Sequence, residues 1–168
     1  MGYFGVKHFL IGPLLEMNEY LSVLEDIKRG MPVTVTGPSE SQKAHMAYTL
    51  CNHLGKKGVY IAYNELQARK IYEDFSCFFG RDVVLFTSRE IMLHDVDAKS
   101  YDSVYERIDT LYRIERGDYN FIVTSAEALC QKLVERELFV DSILSFSVGG
   151  RIDLEFTIQK LISIGYER

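Results

Sequence analysis

An alternation of short apolar runs with helix-spaced stripes constrains this chain more than any other feature. Residues 33–35, 59–62, 83–86 and 121–123 read as short buried strands. Met17, Tyr20, Leu21, Leu24 and Ile27 recur at helical spacing before Gly30. Ala44, Ala47, Leu50, Cys51 and Leu54 line a second helix ending at Gly55; Ala68, Ile71, Tyr72, Phe75, Phe78 and Phe79 line a third ending at Gly80. Tyr101, Val104, Tyr105, Ile108, Leu111 and Tyr112 form a fourth stripe before Gly117, and Ser125 is placed to cap the helix after the last strand. Buried strands separated by helices predict a parallel α/β sheet covered on both faces.

Near residue 133 the pattern changes. Leu144, Phe146 and Val148 alternate with Ser145 and Ser147 as in a half-buried strand, and Gly149-Gly150 turns the chain. Leu154, Ile158 and Leu161 then start a helix that stops at Gly165. The expected organisation is an α/β domain over residues 1–132 and the start of an α+β appendage over 133–168.

The chain of 168 residues is long enough for one domain with a real core. Its 47% hydrophobic and 26% charged residues are those of a globular protein. A net charge of -5 argues against broad electrostatic capture of nucleic acid. Cys51, Cys77 and Cys130 lack C-x-x-C spacing, so neither a disulfide framework nor a zinc site is indicated; Cys51 and Cys130 read as small buried thiols on helix faces. No apolar run approaches a membrane span, and the start does not read as a signal peptide, which predicts a reducing, cytoplasmic setting.

The stretch VTVTGPSESQKAHMAYTL, residues 33–50, has the layout of a phosphate-binding loop, G-x-x-x-x-G-K-[ST]. Gly37 fits the first glycine and Lys43 the lysine. Gln42 stands where the second glycine belongs, putting a side chain where a phosphate needs backbone access. Ala44 stands where the metal-binding hydroxyl belongs, and Glu40 adds a negative charge. Local chemistry leaves three readings open: an active nucleotide site, the remains of one, or a strand–loop–helix turn with Lys43 solvated. Elsewhere, His45 and His53 lie too far apart on one helix for a shared metal. His94, Asp95 and Asp97 read as a solvated acidic loop. Glu106, Arg107, Asp109, Arg113, Glu115 and Arg116 read as alternating charges on an exposed helix face.

Several segments together resemble one family. DIKRGMPVTVTGPSESQKAHMAYTLCNHL is similar to the first motif region of the excision-repair protein UvrB with its phosphate loop eroded. FTSREIMLHDVDAKSYDSVYERIDTLYRI is similar to a segment of the bacterial transcription-repair coupling factors (Mfd), with Tyr101-Asp102, Arg107 and Leu111 at the family's marked positions. NFIVTSAEALCQKLV and FSVGGRIDLEFTIQKLISIGYER resemble the strand–helix and the Gly-Tyr segment that follow in that family. The resemblance runs from about residue 10 to the end.

It implies a parallel-sheet, P-loop or helicase-like (UvrB-like) domain with a degenerate phosphate loop (Gly37, Gln42, Lys43, Ala44), followed by a truncated α+β appendage. It implies a non-catalytic amino-terminal module, binding no cofactor and no metal, of a parent protein that uses ATP and Mg. The segment 87–100 is too short for UvrB's damage-probing hairpin. In the parent, RNA polymerase and double-stranded DNA are the implied partners. UvrA would bind the complete second domain, through residues mostly beyond Arg168. An incomplete second domain with an open strand edge predicts an edge-paired or swapped dimer of the fragment. The alternative reading is an active P-loop NTPase, as a helicase domain or a nucleotide-dependent kinase.

Overall fold

A computed structural model of the chain describes residues 11–89 and 102–166. Its contacts divide the chain into two units, Met1–Gln131 and Lys132–Arg168.

In the first unit, a helical turn at 11–15 leads to α1 (Asn18–Lys28), an irregular stretch and α2 (Glu40–Leu54). Three strands follow, β1 (Gly58–Ala62), β2 (Val83–Phe86) and β3 (Phe121–Ser125). Between β1 and β2 run α3 (Glu65–Phe79) and a 3-10 turn, Gly80–Asp82; α4 (Asp102–Arg116) joins β2 to β3 and α5 (Ala126–Cys130) follows. The sheet is parallel throughout, in the order β1-β3-β2, with Gly58 and Val83 both opposite Phe121. The chain crosses the sheet in one direction through α3 and returns through α4. Parallel crossovers are right-handed as a rule, and two that run in opposite directions then put their helices on opposite faces.

One face carries the core. Ala44 of α2, Ala68, Ile71 and Phe75 of α3, and Ala62, Val83, Phe121 and Val123 of the strands form one buried cluster. Phe121 stacks on Phe75 at 4.2 Å and tilts against Phe79 at 5.0 Å. Gly58 has no room for a side chain: a Cβ there would lie 2.1 Å from the Phe121 ring and 2.9 Å from Cys51 Sγ. A glycine at the head of β1 is therefore a packing requirement.

Two sequence expectations fail in this unit. Residues 33–35 form no strand among the described residues, and Val35 is exposed. Three residues make few ladder bonds, and Pro32 and Pro38 contribute no N–H on either side. The second face of the sheet is also covered only in part: α4 packs against β2, while Val59 and Ile61 alternate outward along β1 and stay exposed.

The second unit contains α6 (Arg136–Asp141) and α7 (Leu154–Ser163), tied by an ion pair between Lys160 Nζ and the Asp141 carboxylate. Asp153 caps α7 by accepting from Phe156 N–H at 3.0 Å. Residues 143–148 are irregular rather than a strand, and Phe146 and Val148 are exposed. Alternation selects the face a strand would bury but supplies no neighbour to bond with, and none is present among the described residues.

Candidate functional site

The Gly37–Lys43 loop leads into α2, and its local sequence explains its shape. Gly37 adopts φ +100°, which favours glycine, and Ser39 turns extended to cap the helix. Ser39 and Gln42 form a reciprocal capping box in which Ser39 N–H donates to Gln42 Oε1 at 2.8 Å. The residue in place of the second glycine thus does more than crowd the loop: its amide oxygen takes a backbone donor that an anion would need. The first helical bond, Lys43 N–H to Ser39 O at 2.9 Å, takes another.

A carboxylate already occupies the helix end that a phosphate would use. Glu40 sits in the first turn of α2, where the helix dipole favours its negative charge. Its carboxylate meets Lys70 Nζ at 3.1 Å and accepts from Gln67 Nε2 at 3.4 Å. The hydrogen bond from Lys70, then that from Gln67, holds its carboxyl below the ordinary range, so it stays ionised. Ala44 is fully buried in the core cluster. A methyl group at this position offers a metal ion no oxygen. Lys43 is half-buried at the same helix end. As built, the loop is a satisfied helix cap.

A second polar cluster lies at the carboxyl ends of the strands, where parallel sheets place their ligands. Arg107 of α4, expected on an exposed face, is buried at 8% exposure. One Nη1–H donates to the Thr87 carbonyl and the guanidinium lies 4.2 Å over the Phe86 ring. Thr110, one turn on, donates to Leu85 O at 3.0 Å. Glu65, opening α3, accepts from Ser125 Oγ at 2.9 Å and Ser88 N–H at 3.3 Å. Burial and nearby Arg89 draw the Arg107 pKa down, with Glu65 opposing. Arg107 and Glu65 therefore clamp consecutive residues after β2. The sequence held the signal: Arg107, Thr110, Leu111 and Ile114 repeat at helical spacing, but two polar members hide the stripe. Val104, Tyr105 and Ile108, read as that helix's buried stripe, are exposed.

The remaining candidates divide. His53 Nδ1 lies 2.7 Å from the Tyr20 hydroxyl, and His45 stacks on Phe78. Cys51 is half-buried, and burial pushes its thiol pKa up; Cys130, expected to be buried, is exposed, as is Cys77. His94, Asp95 and Asp97 lie outside the described residues. Among the described residues no group of three or more His, Cys, Asp or Glu could hold a metal ion, and no helix is long and apolar enough to cross a membrane.

Over 155 residues the chain is 24% identical to the transcription-repair-coupling factor of Bacillus subtilis, covering 91% of this chain and 13% of that protein. The chain resembles transcription-repair-coupling factors over nearly its whole length. The coupling factor of Staphylococcus epidermidis is 26% identical over 164 residues, 97% of this chain and 14% of its own length. That of Staphylococcus haemolyticus is 24% identical over 160 residues, 95% and 14% respectively. The chain thus spans about one-seventh of the length of these curated relatives. No family model matches it, and no solved structure does. The positions that carried the resemblance to coupling factors take definite places: Asp102 opens α4, Arg107 is buried and Leu111 half-buried, while Tyr101 lies outside the described residues.

Proposed function

We propose that this chain is a non-catalytic interaction and regulatory module of a transcription-repair coupling factor, equivalent to its amino-terminal UvrB-like region. Its role is in transcription-coupled nucleotide excision repair, helping to link stalled RNA polymerase to recruitment of UvrA. The parent protein is an ATP-dependent DNA translocase in the cytoplasm, and this module itself turns over no nucleotide and holds no cofactor or metal.

The observation that carries the reading is the alignment of 91–97% of the chain with proteins named for coupling transcription to repair. The capped loop supports its non-catalytic part, because Gln42, Glu40 and buried Ala44 each remove something nucleotide chemistry needs. The second unit supports a partner-binding role, since Phe146, Leu154, Phe156 and Ile162 are all exposed. On this reading UvrA binds a completed second domain, and the chain by itself pairs or swaps into a dimer. The test is a pull-down of UvrA by this chain and by a version extended through a complete second domain, with light scattering on the shorter one. Strong capture by the extended version alone is expected. Failure of both to capture UvrA, or equal capture by a monomeric short chain, contradicts the assignment of that surface.

A further inference from the structure

At the end of the sheet opposite the loop, a cleft of about 910 Å³ opens between the second half of α2, the end of α3 and the Gly80–Asp82 turn. Lys57, Asp82 and Asn120, the residues immediately before β1, β2 and β3, place it at the amino ends of the strands. A second cavity of about 400 Å³ shares Arg81, Asp82 and Asn120 with the first and continues past Gly117 and Tyr119. The two make one trough.

Its floor is aromatic. Tyr48 packs against Phe78 at 5.6 Å and edge-on against Phe79 at 5.0 Å, and both phenylalanines are half-buried. Its rim is cationic. Lys56, Lys57, Arg81 and Arg113 line it against two carboxylates, Asp82 and Asp118. Asp118 is neutralised by Arg116 Nε at 3.0 Å, while Asp82 accepts from Asn120 Nδ2 at 3.0 Å and keeps its charge, so the four cations still outnumber it. Two of the cations donate to neutral carbonyls instead. Lys57 Nζ bonds Gly117 O at 2.7 Å, and Arg113 bonds the Arg81 and Asp118 carbonyls. Such bonds fix a side chain without cancelling its charge. On a chain of net charge -5, this end is a local positive patch over an apolar floor.

We propose that this trough docks an acidic segment of a partner protein, with one aromatic or leucine side chain anchored on Tyr48, Phe78 and Phe79 and acidic residues beside it on Lys56 and Arg81. At about 910 Å³ the cleft is large enough for a short peptide stretch rather than a single side chain. A nucleic acid is disfavoured by the overall charge and by a floor that rewards apolar burial rather than phosphate.

The probe is a fluorescein-labelled peptide of Asp and Glu flanking one Phe-Leu pair, titrated by fluorescence anisotropy. Controls replace the Phe-Leu pair by serines, replace the acids by lysines, or substitute a single-stranded oligothymidine. Saturable binding of the acidic, anchored peptide is expected, weakened about tenfold by Lys56→Glu with Arg81→Glu, two exposed changes at the rim. The bound peptide should also slow alkylation of Cys77, which lines the cleft, and leave Cys130 reacting as before. Absence of saturable binding, binding indifferent to the double charge reversal in a variant that melts like the parent, or tighter binding of the oligonucleotide would each overturn the proposal.

Discussion

Gln42→Gly restores the glycine of a phosphate loop and, on this structure, should damage the protein rather than awaken it. The change removes the acceptor of the 2.8 Å bond from Ser39 N–H, an exposed bond worth about 0.5–1 kcal/mol. It also places glycine in the first turn of α2, costing about another 0.5–1 kcal/mol in helix propensity. The sum is about 1–2 kcal/mol, a fall of roughly 3–8 °C in melting temperature for a domain of this size. Gln42→Ala should lose the bond alone and fall between parent and glycine variant. Gln42→Glu keeps an acceptor at the same reach and should melt at or above the parent. Thermal denaturation followed by circular dichroism, with and without Mg-ATP, reads both halves of the argument. The cap account is refuted if the glycine and alanine variants melt with the parent. It is refuted equally if Mg-ATP raises the melting temperature of the glycine variant, because Ala44 and Glu40 would then not be the further obstacles described.

Gly58→Ala should destabilise by about 2–3 kcal/mol, because a Cβ 2.1 Å from a Phe121 ring pinned by Phe75 and Phe79 forces the core apart; a denaturant melt that matches the parent would contradict it. Arg107→Ala should cost about 2–3 kcal/mol by leaving the Thr87 carbonyl and the neighbouring Glu65 without their cation, and Arg107→Lys should recover only part of that in the same melts. His53, whose pKa is lowered first by burial and then by Lys28, binds its proton more readily unfolded than folded. Stability is therefore fully present above the unfolded value of 6.5 and is lost as pH falls below it, and His53→Gln should flatten the melting temperature between pH 7.5 and pH 5.5. At the other end, burial pushes the Tyr20 phenol up to about 12, so its contribution is present below pH 10 and is lost as pH rises from there towards 12; Tyr20→Phe should remove that alkaline slope.

Helices were the most legible part of the fold. Glycines 30, 55, 80 and 117 fall just past the ends of α1 to α4, three directly after the last helical residue, and each adopts a positive φ. The three strands that form were also readable, but strand formation depends on a partner elsewhere in the chain, and local sequence does not carry that. Residues 33–35 and 143–148 had the right composition and found no ladder among the described residues. On α4 hydrophobicity misled, because Arg107 and Thr110 bury their stems and spend their polar ends on carbonyls at and after the end of β2. The loop was half legible. Its departures from a phosphate-binding pattern stood in the sequence, and so did Ser39-x-x-Gln42, the spacing of a capping box that says where the glutamine side chain goes.

The central claim, that the Gly37–Lys43 loop is a closed helix cap and the module non-catalytic, is tested most directly by isothermal titration of the chain with Mg-ATP. The account predicts no saturable heat at nucleotide concentrations up to about 1 mM, the range in which binding free energies fall to roughly 4 kcal/mol. A micromolar site that disappears in Lys43→Ala would contradict it.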